Sequence, residues 1–215
     1  MRLGIFRKKL KQEHKVMLQA ERAGGAMLPE YHRATPECPH PEQWSMYDSM
    51  TAEVEVLEFL ATLVTTVKPN LIVETGAFLG ASSIWMARGL KRNGFGKIVS
   101  CEFDPQVFAA AQQRITASGV AEWIDLRNVS SLEMEVKGTI DLFFSDSELT
   151  IREQEVRRFL PQIGPNGLVL MHDASSHPGM IREAALRLEA EGLLSVVLLP
   201  TPRGLVVAQK RAGRK

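Results

Sequence analysis

Apolar residues fall at two different periods along this chain, and the place where the pattern starts divides it. Up to about residue 50 the chain is polar, has no steady period and ends in the proline-rich stretch "TPECPHPEQW". That pattern predicts an extension, residues 1–50, packed on a domain that runs from Thr51 to the end of the chain at residue 215. Leu57, Leu60, Val64 and Val67 then recur at helical spacing until Pro69 ends the helix. Five short apolar runs follow, "LIVET", "KIVSCEF", "WIDLRNV", "IDLFFSD" and "GLVLMHD", with helical patterns among them. Runs that are apolar throughout predict strands buried on both faces, hence a parallel sheet covered by right-handed crossovers.

Capping and turn residues refine the picture. Asp104-Pro105 places a capping acid before a proline at the first helical position, ahead of Val107, Phe108, Ala111 and Ile115. Thr150 with Glu153 predicts a capping box, and Gly164-Pro165-Asn166-Gly167 predicts a turn into the next strand. Near the end a helix over about Met180 to Glu191 leads to "LLSVVLLP", "TPRG" and "LVVAQK". Two strands separated by a Pro/Gly turn predict an antiparallel hairpin at the sheet edge.

A length of 215 residues with 45% hydrophobic content leaves room for one α/β domain and not for a second full one. The formal charge of +1 gives no strong nucleic-acid signal. The basic excess is local. Arg2, Arg7, Lys8, Lys9, Lys11 and Lys15 crowd one end, and Lys210, Arg211, Arg214 and Lys215 the other. These runs read as solvated tails, with contact to anionic lipid or RNA as the alternative. No secretory signal and no run near the roughly 20 apolar residues of a membrane span is evident, so a cytoplasmic protein is expected. Cys38 and Cys101 do not make a disulfide framework, and Cys38 with His40 is too small a set for zinc. A homodimer is compatible with the chain.

Ligands of open α/β sheets collect beyond the carboxyl ends of the strands. Those ends carry Glu74, Glu102, Asp104, Asn128, Asp146, His172 and Asp173, an unusual density of acids if packing alone had chosen them. Between the first strand and its helix, Gly76 and Gly80 flank "AFL" in a Glu-x-Gly-x-x-x-Gly-x-Ser pattern, so that backbone and free helix-start amides can approach a ligand. A glycine pair in such a turn also has a purely conformational reading. Phe78 stands where a dinucleotide-binding turn needs its second glycine, which disfavours NAD. Glu102, ending the next strand, can accept hydrogen bonds from two ribose hydroxyls.

With these residues in view, the chain resembles the class I S-adenosylmethionine-dependent methyltransferases. "VETGAFLGASS" is similar to their glycine-rich first motif, "IVSCEFDP" to the second-strand motif with its ribose-binding acid, "IDLFFSD" to the fourth-strand motif and "GPNGLVLMHD" to the fifth-strand entry. The resemblance covers roughly residues 51 to 210 and implies a Rossmann-like doubly wound sheet of seven strands, mostly parallel with an antiparallel last strand. It implies that Glu74, Gly76 and Gly80 line the methionine portion of S-adenosylmethionine, with Ser82 or Ser83 near its carboxylate. Glu102 would hold the ribose, Ser130 would lie near adenine, and Asp146 would face the cofactor. Asp104 is expected to cap its helix. Glu74 has a structural alternative, tying down the amides of the glycine turn, and Trp123 is either an adenine neighbour or core.

"DLFFSDSEL" and "GLVLMHDAS" resemble most the small-molecule O-methyltransferases, of the catechol type and the sugar and antibiotic tailoring branch. The resemblance implies methyl transfer to a hydroxyl of a small-molecule acceptor, with Asp146 and Asp173 as ligands of a divalent cation that would lower the acceptor's pKa. The pattern departs from that branch at Leu149, where it has histidine, and at Ala174. A set of Asp146, His172 and Asp173 suits manganese or zinc better than magnesium, or no metal. His172 has three readings: metal ligand, general base, or a histidine that orients Asp173; His177 is a further base candidate, while His14, His32 and His40 read as surface or loop residues. Trp44, Met46, Tyr47 and Met50 could wall the acceptor pocket as part of a candidate lid, or simply pack the extension. Two rival functions are a methyltransferase acting on RNA or protein and a non-catalytic cofactor-binding module.

Overall fold

Helix α1 (Val54–Val67) forms at the expected spacing and buries Val54, Val56, Leu57, Leu60, Ala61 and Val64. It opens an alternation of strands and helices seen in a computed structural model that describes residues 38, 43–48, 50–176 and 179–211. The order is β1 (Leu71–Thr75), α2 (Ala81–Asn93), β2 (Lys97–Cys101), α3 (Pro105–Ala117), a 3-10 turn (Ala121–Trp123), β3 (Ile124–Arg127), β4 (Ile140–Ser145), α4 (Arg152–Phe159), β5 (Ile163–His172), α5 (Met180–Ala190), β6 (Leu194–Leu199) and β7 (Leu205–Lys210). The basic residues from Arg2 to Lys15, the terminal Arg214 and Lys215, and His14, His32, His40 and His177 lie outside the described residues.

Among the described residues the strands make one seven-stranded sheet in the order β3-β2-β1-β4-β5-β7-β6. β1 pairs in parallel with β2 on one side and β4 on the other, so the chain reverses its direction of travel across the sheet at β1 and β4. That reversal opens a crevice at their carboxyl ends. β7 is antiparallel to both β5 and β6, which places the expected hairpin at the edge with β6 outermost.

Alternation along the strands sorts the core into two layers. Ile72, Ile98, Leu142, Phe144 and Leu170 face α1, α2 and α3, whereas Val73, Val99, Phe143, Val169 and Met171 face α4 and α5. In the second layer Phe143 and Phe159 stack in a tilted pair with centroids 5.1 Å apart. In the first, α1 and α2 cross closely because Gly89 has no side chain. A Cβ there would lie 2.8 Å from both the Ala61 carbonyl oxygen and Val64 Cγ1.

The Asp104 cap forms as expected, its Oδ1 accepting from the amides of Gln106 at 2.7 Å and Val107 at 3.2 Å. Two expectations fail. Thr150 donates to Glu148 at 3.1 Å, and Glu153 is drawn into ion pairs with Arg157 and Arg187, so the capping box is absent and α4 starts only at Arg152. Gly164-Pro165-Asn166-Gly167 does not end a strand either. Ile140 pairs with Ile163 and Leu142 with Leu168, so these four residues bulge out of the ladder while β5 continues through them.

Replacing a glycine inside a helix with alanine ordinarily gains about 1 kcal/mol. Gly89→Ala is expected to reverse that sign, because the methyl must push α1 off α2; urea unfolding of the variant should show a lower midpoint than that of the parent chain.

Candidate active site

The glycine turn after β1 is held by backbone. The amides of Gly76 and Ala77 donate to the Cys101 carbonyl at 3.1 and 2.9 Å, which fastens the turn to the end of β2. Gly76, at φ +80°, lies flat on β4: a Cβ would stand 2.5 Å from the Asp146 carbonyl oxygen. Phe78 also adopts a left-handed conformation, φ +49°, so the turn keeps a glycine-like backbone at a residue with a large side chain. Gly80 precedes α2 with its α-carbon directed at Ile115.

Glu102 completes this turn. Its Oε2 accepts from the Phe78 amide at 2.9 Å and its Oε1 from the Asp104 amide at 3.0 Å, so the carboxylate is fixed at the rim of the crevice. Burial raises its pKa against the lowering effect of those amides. Glu74 sits deeper. It receives the hydroxyls of Ser83 and Ser100 on Oε2, is fully buried, and has no hydrogen-bond partner for Oε1 among the described residues. Since the turn amides of Gly76 and Ala77 go to Cys101, that of Phe78 to Glu102 and that of Gly80 to the Ala77 carbonyl, Glu74 grips side chains of α2 and β2 rather than the turn's backbone. Burial raises its pKa, and that of the Cys101 thiol to about 12.

A second cluster closes the carboxyl ends of β4 and β5. His172 is fully buried, with Nε2 2.7 Å from Glu53 Oε2 and Nδ1 3.3 Å from Asp146 Oδ1. Glu53 Oε1 accepts from the Arg203 amide at 2.7 Å and from Thr201 Oγ1 at 3.1 Å. Arg152 Nη2 reaches Asp173 Oδ2 at 2.9 Å and Asp146 Oδ1 at 3.2 Å, and Arg203 Nε reaches Asp173 Oδ1 at 2.8 Å. Burial opposes the charge on His172, but Asp146, Asp173 and Glu53 outweigh it and push its pKa up to about 10. Glu53 is held at about 2 and Asp173 below the usual carboxylate range; burial works against both, and the His172 charge overcomes it.

Between the two clusters lies a cavity of about 540 Å³. It is lined by Gly76, Phe78, Ser82, Cys101 and Glu102, by Val129, Ser130 and Ser131 after β3, and by Met50, Thr51, Asp146, Arg152, Asp173 and Arg203 among others. The structure thus brings together Gly76, Ser82, Glu102, Ser130, Asp146 and Asp173 of the expected site. Glu74, Gly80, Ser83 and His172 stand behind this wall. Met46 and Tyr47 are core residues, whereas Met50 reaches the cavity. Sequence reasoning missed Glu53, Arg152 and Arg203. The available signal was electrostatic: acids crowded at strand ends require cations, and those cations had to come from the loops facing them.

The model of a methyltransferase domain family, Methyltransf_24, matches residues 73–174, the stretch that supplies the turn, Glu102, Asp146 and Asp173. That match, with the O-methyltransferases it resembles in sequence and fold, supports a class I S-adenosylmethionine-dependent methyltransferase. The chain is 31% identical over 97 residues to a catechol O-methyltransferase of Niastella koreensis, an alignment covering 42% of the chain and 43% of that enzyme. The match therefore spans less than half of that curated relative. Its fold is shared with the O-methyltransferase of Bacillus cereus in complex with SAH (TM-score 0.65, 19% identity, covering 93% of this chain and 91% of that one). It is also shared with TomG of Streptomyces achromogenes, an O-methyltransferase in complex with SAM (TM-score 0.64, 20% identity, 76% and 82% covered). Among the described residues, no helix is long and apolar enough to cross a membrane.

The buried histidine gives a pH test with a definite sign. A histidine whose folded pKa is raised contributes stability that is complete below its unfolded value, 6.5, and fades as pH climbs toward about 10. Melting temperatures measured from pH 6.5 to 10 should fall in the parent protein, and His172→Gln should lack that part of the slope. Parallel slopes would show that His172 is not the titrating group.

Proposed function

We propose that the protein transfers a methyl group from S-adenosylmethionine to a hydroxyl oxygen of a small molecule. The observation that carries this reading is the placement of Glu102: an amide-anchored carboxylate at the rim of a cavity whose floor is the glycine turn. A carboxylate so fixed presents its remaining lone pairs to paired hydroxyls. Of the other lining residues, Ser130 and Ser131 are assigned to the base, and Gly76, Ser82 and Asp146 to the amino-acid end. The buried, unpartnered Oε1 of Glu74 directly behind Ser83 is the polar reserve expected where a cationic amino group is to be received nearby.

When bound, the cofactor supplies a methyl group already activated by its sulfonium, so the chain's task is chiefly positioning. Gly76 keeps the turn pressed on the end of β4, which sets the distance between Glu102 and Asp146. On the acceptor side Met50 and Ile151 provide apolar wall, and Thr51, Glu148, Asp173 and Arg203 provide polar groups. Asp146 and Glu148 are the carboxylates there with access to a hydroxyl proton, while His172, enclosed between Glu53 and Asp146, orients Asp146. Residues 1–50 are taken as an extension that reaches the acceptor side through Met50. The reading fits a cytoplasmic enzyme of small-molecule metabolism, in keeping with the catechol substrate named for the Niastella relative.

Calorimetric titration with S-adenosylmethionine and S-adenosylhomocysteine checks the cofactor, and methyl transfer to catechol and other hydroxylated acceptors checks the reaction. Glu102→Ala should weaken cofactor binding roughly 10- to 100-fold, the loss expected for hydrogen bonds to a charged acceptor. Unchanged affinity would remove Glu102 from the site.

A further inference from the structure

Asp146, His172 and Asp173 bring one ligand atom each within 4.8 Å of one another, the spacing of a divalent-cation site. The donors do not fit such an ion, because arginine already uses them. Arg152 Nη2 sits between the two acids, 2.9 Å from Asp173 Oδ2 and 3.2 Å from Asp146 Oδ1, while Arg203 Nε takes the other Asp173 oxygen at 2.8 Å. An ion bound at ordinary metal–oxygen distances of about 2.0–2.2 Å would have to expel that guanidinium from between the carboxylates.

Expulsion would be costly for reasons outside the acids. Arg152 has a side chain only 3% exposed and also donates from Nη1 to the His172 carbonyl at 2.6 Å and from Nε to the Ser147 carbonyl at 2.7 Å. It therefore ties the end of β5 to the segment after β4, and its removal would take this donor from the buried His172 carbonyl and the half-buried Ser147 carbonyl. Arg203 is likewise anchored, donating from Nη1 to the carbonyls of Met50 and Thr51 at 3.1 and 3.0 Å. Leu149 and Ala174, on either side of the cluster, supply no side-chain oxygen to rebuild a cage.

We infer that Arg152, seconded by Arg203, takes the place of a divalent cation at the ends of β4 and β5, and that this methyltransferase works without a metal. Arg152 is a positioning residue: its Nη2 alone reaches the carboxylates of Asp146 and Asp173, as a bridging ion would, while Nη1 and Nε anchor the guanidinium to backbone carbonyls. The ion-exclusion half stands on the geometry alone; the catalytic half rests on the methyl-transfer reading above.

The test is manganese binding to the full chain, read by the loss of the free-ion electron paramagnetic resonance signal and by the melting temperature with and without the ion. The parent protein should leave the manganese signal unchanged up to millimolar ion, show no shift in melting temperature, and turn over equally in chelator and in manganese. Arg152→Met, which keeps the apolar stem and removes the guanidinium from between the acids, should gain manganese binding at least tenfold over the parent and a melting temperature that rises with the ion. Arg152→Lys keeps a cation and should bind none, so it and the parent decide the matter should the methionine variant fail to fold. Stoichiometric uptake by the parent, loss of its turnover in chelator, or a folded Arg152→Met that still takes up no manganese would each overturn the inference. A parent chain that binds neither ion nor S-adenosylmethionine would instead defeat the methyl-transfer reading and leave ion exclusion standing.

Discussion

Three acids and three cationic side chains enclose one another where β4 and β5 end, and the geometry of the acceptor side follows from that enclosure. Glu53 comes from the entry to α1, Asp146 from the end of β4, Arg152 from the first turn of α4, His172 and Asp173 from the end of β5, and Arg203 from the turn between β6 and β7. Five segments, spread from Glu53 to Arg203, are thereby held to a single point. Isolated charges so deep in a protein would be prohibitive, but each here has partners of opposite sign and the set balances. Such a network is weak evidence for stability. Its physical content is that its members share partners: His172 pairs with both Glu53 and Asp146, and Asp173 with both Arg152 and Arg203.

The other half of the crevice is fixed by backbone rather than by charge. Two amides on the Cys101 carbonyl, the Gly76 contact with the Asp146 carbonyl, and the Phe78 amide on Glu102 join β1, β2 and β4 at their common end. Phe78 accepts a left-handed conformation that costs roughly 1–3 kcal/mol in a residue of its size, and strain of this kind persists only where surrounding contacts dictate it. The benefit is an aromatic side chain on the cavity wall at a position where a dinucleotide site would have bare backbone. A rigid, polar half thus faces a half built from ion pairs, and the cavity lies between them.

Much of this was legible in order and spacing. Uniformly apolar runs announced buried parallel strands, Asp104-Pro105 announced the start of α3, and the glycines with Glu102 announced the floor and rim of the crevice. The failures share one cause. Thr150 and Glu153 satisfy a local rule, but Glu153 finds Arg157 and Arg187, one of them 34 residues away, and Gly164 to Gly167 spell a turn that pairing with β4 turns into a bulge. Arg152 and Arg203 were invisible for the same reason. Nothing local distinguishes a buried arginine from a solvated one; only the assembled sheet shows that the acids of β4 and β5 meet them.

The central claim is that the chain's own cations close the acidic cluster while the neighbouring cavity takes the cofactor. Anomalous diffraction from crystals grown with S-adenosylhomocysteine and excess manganese tests it most directly. The account predicts nucleoside density with its ribose against Glu102, Arg152 still bridging Asp146 and Asp173, and no anomalous peak between those acids. A manganese peak there, with the Arg152 guanidinium swung away, would contradict it.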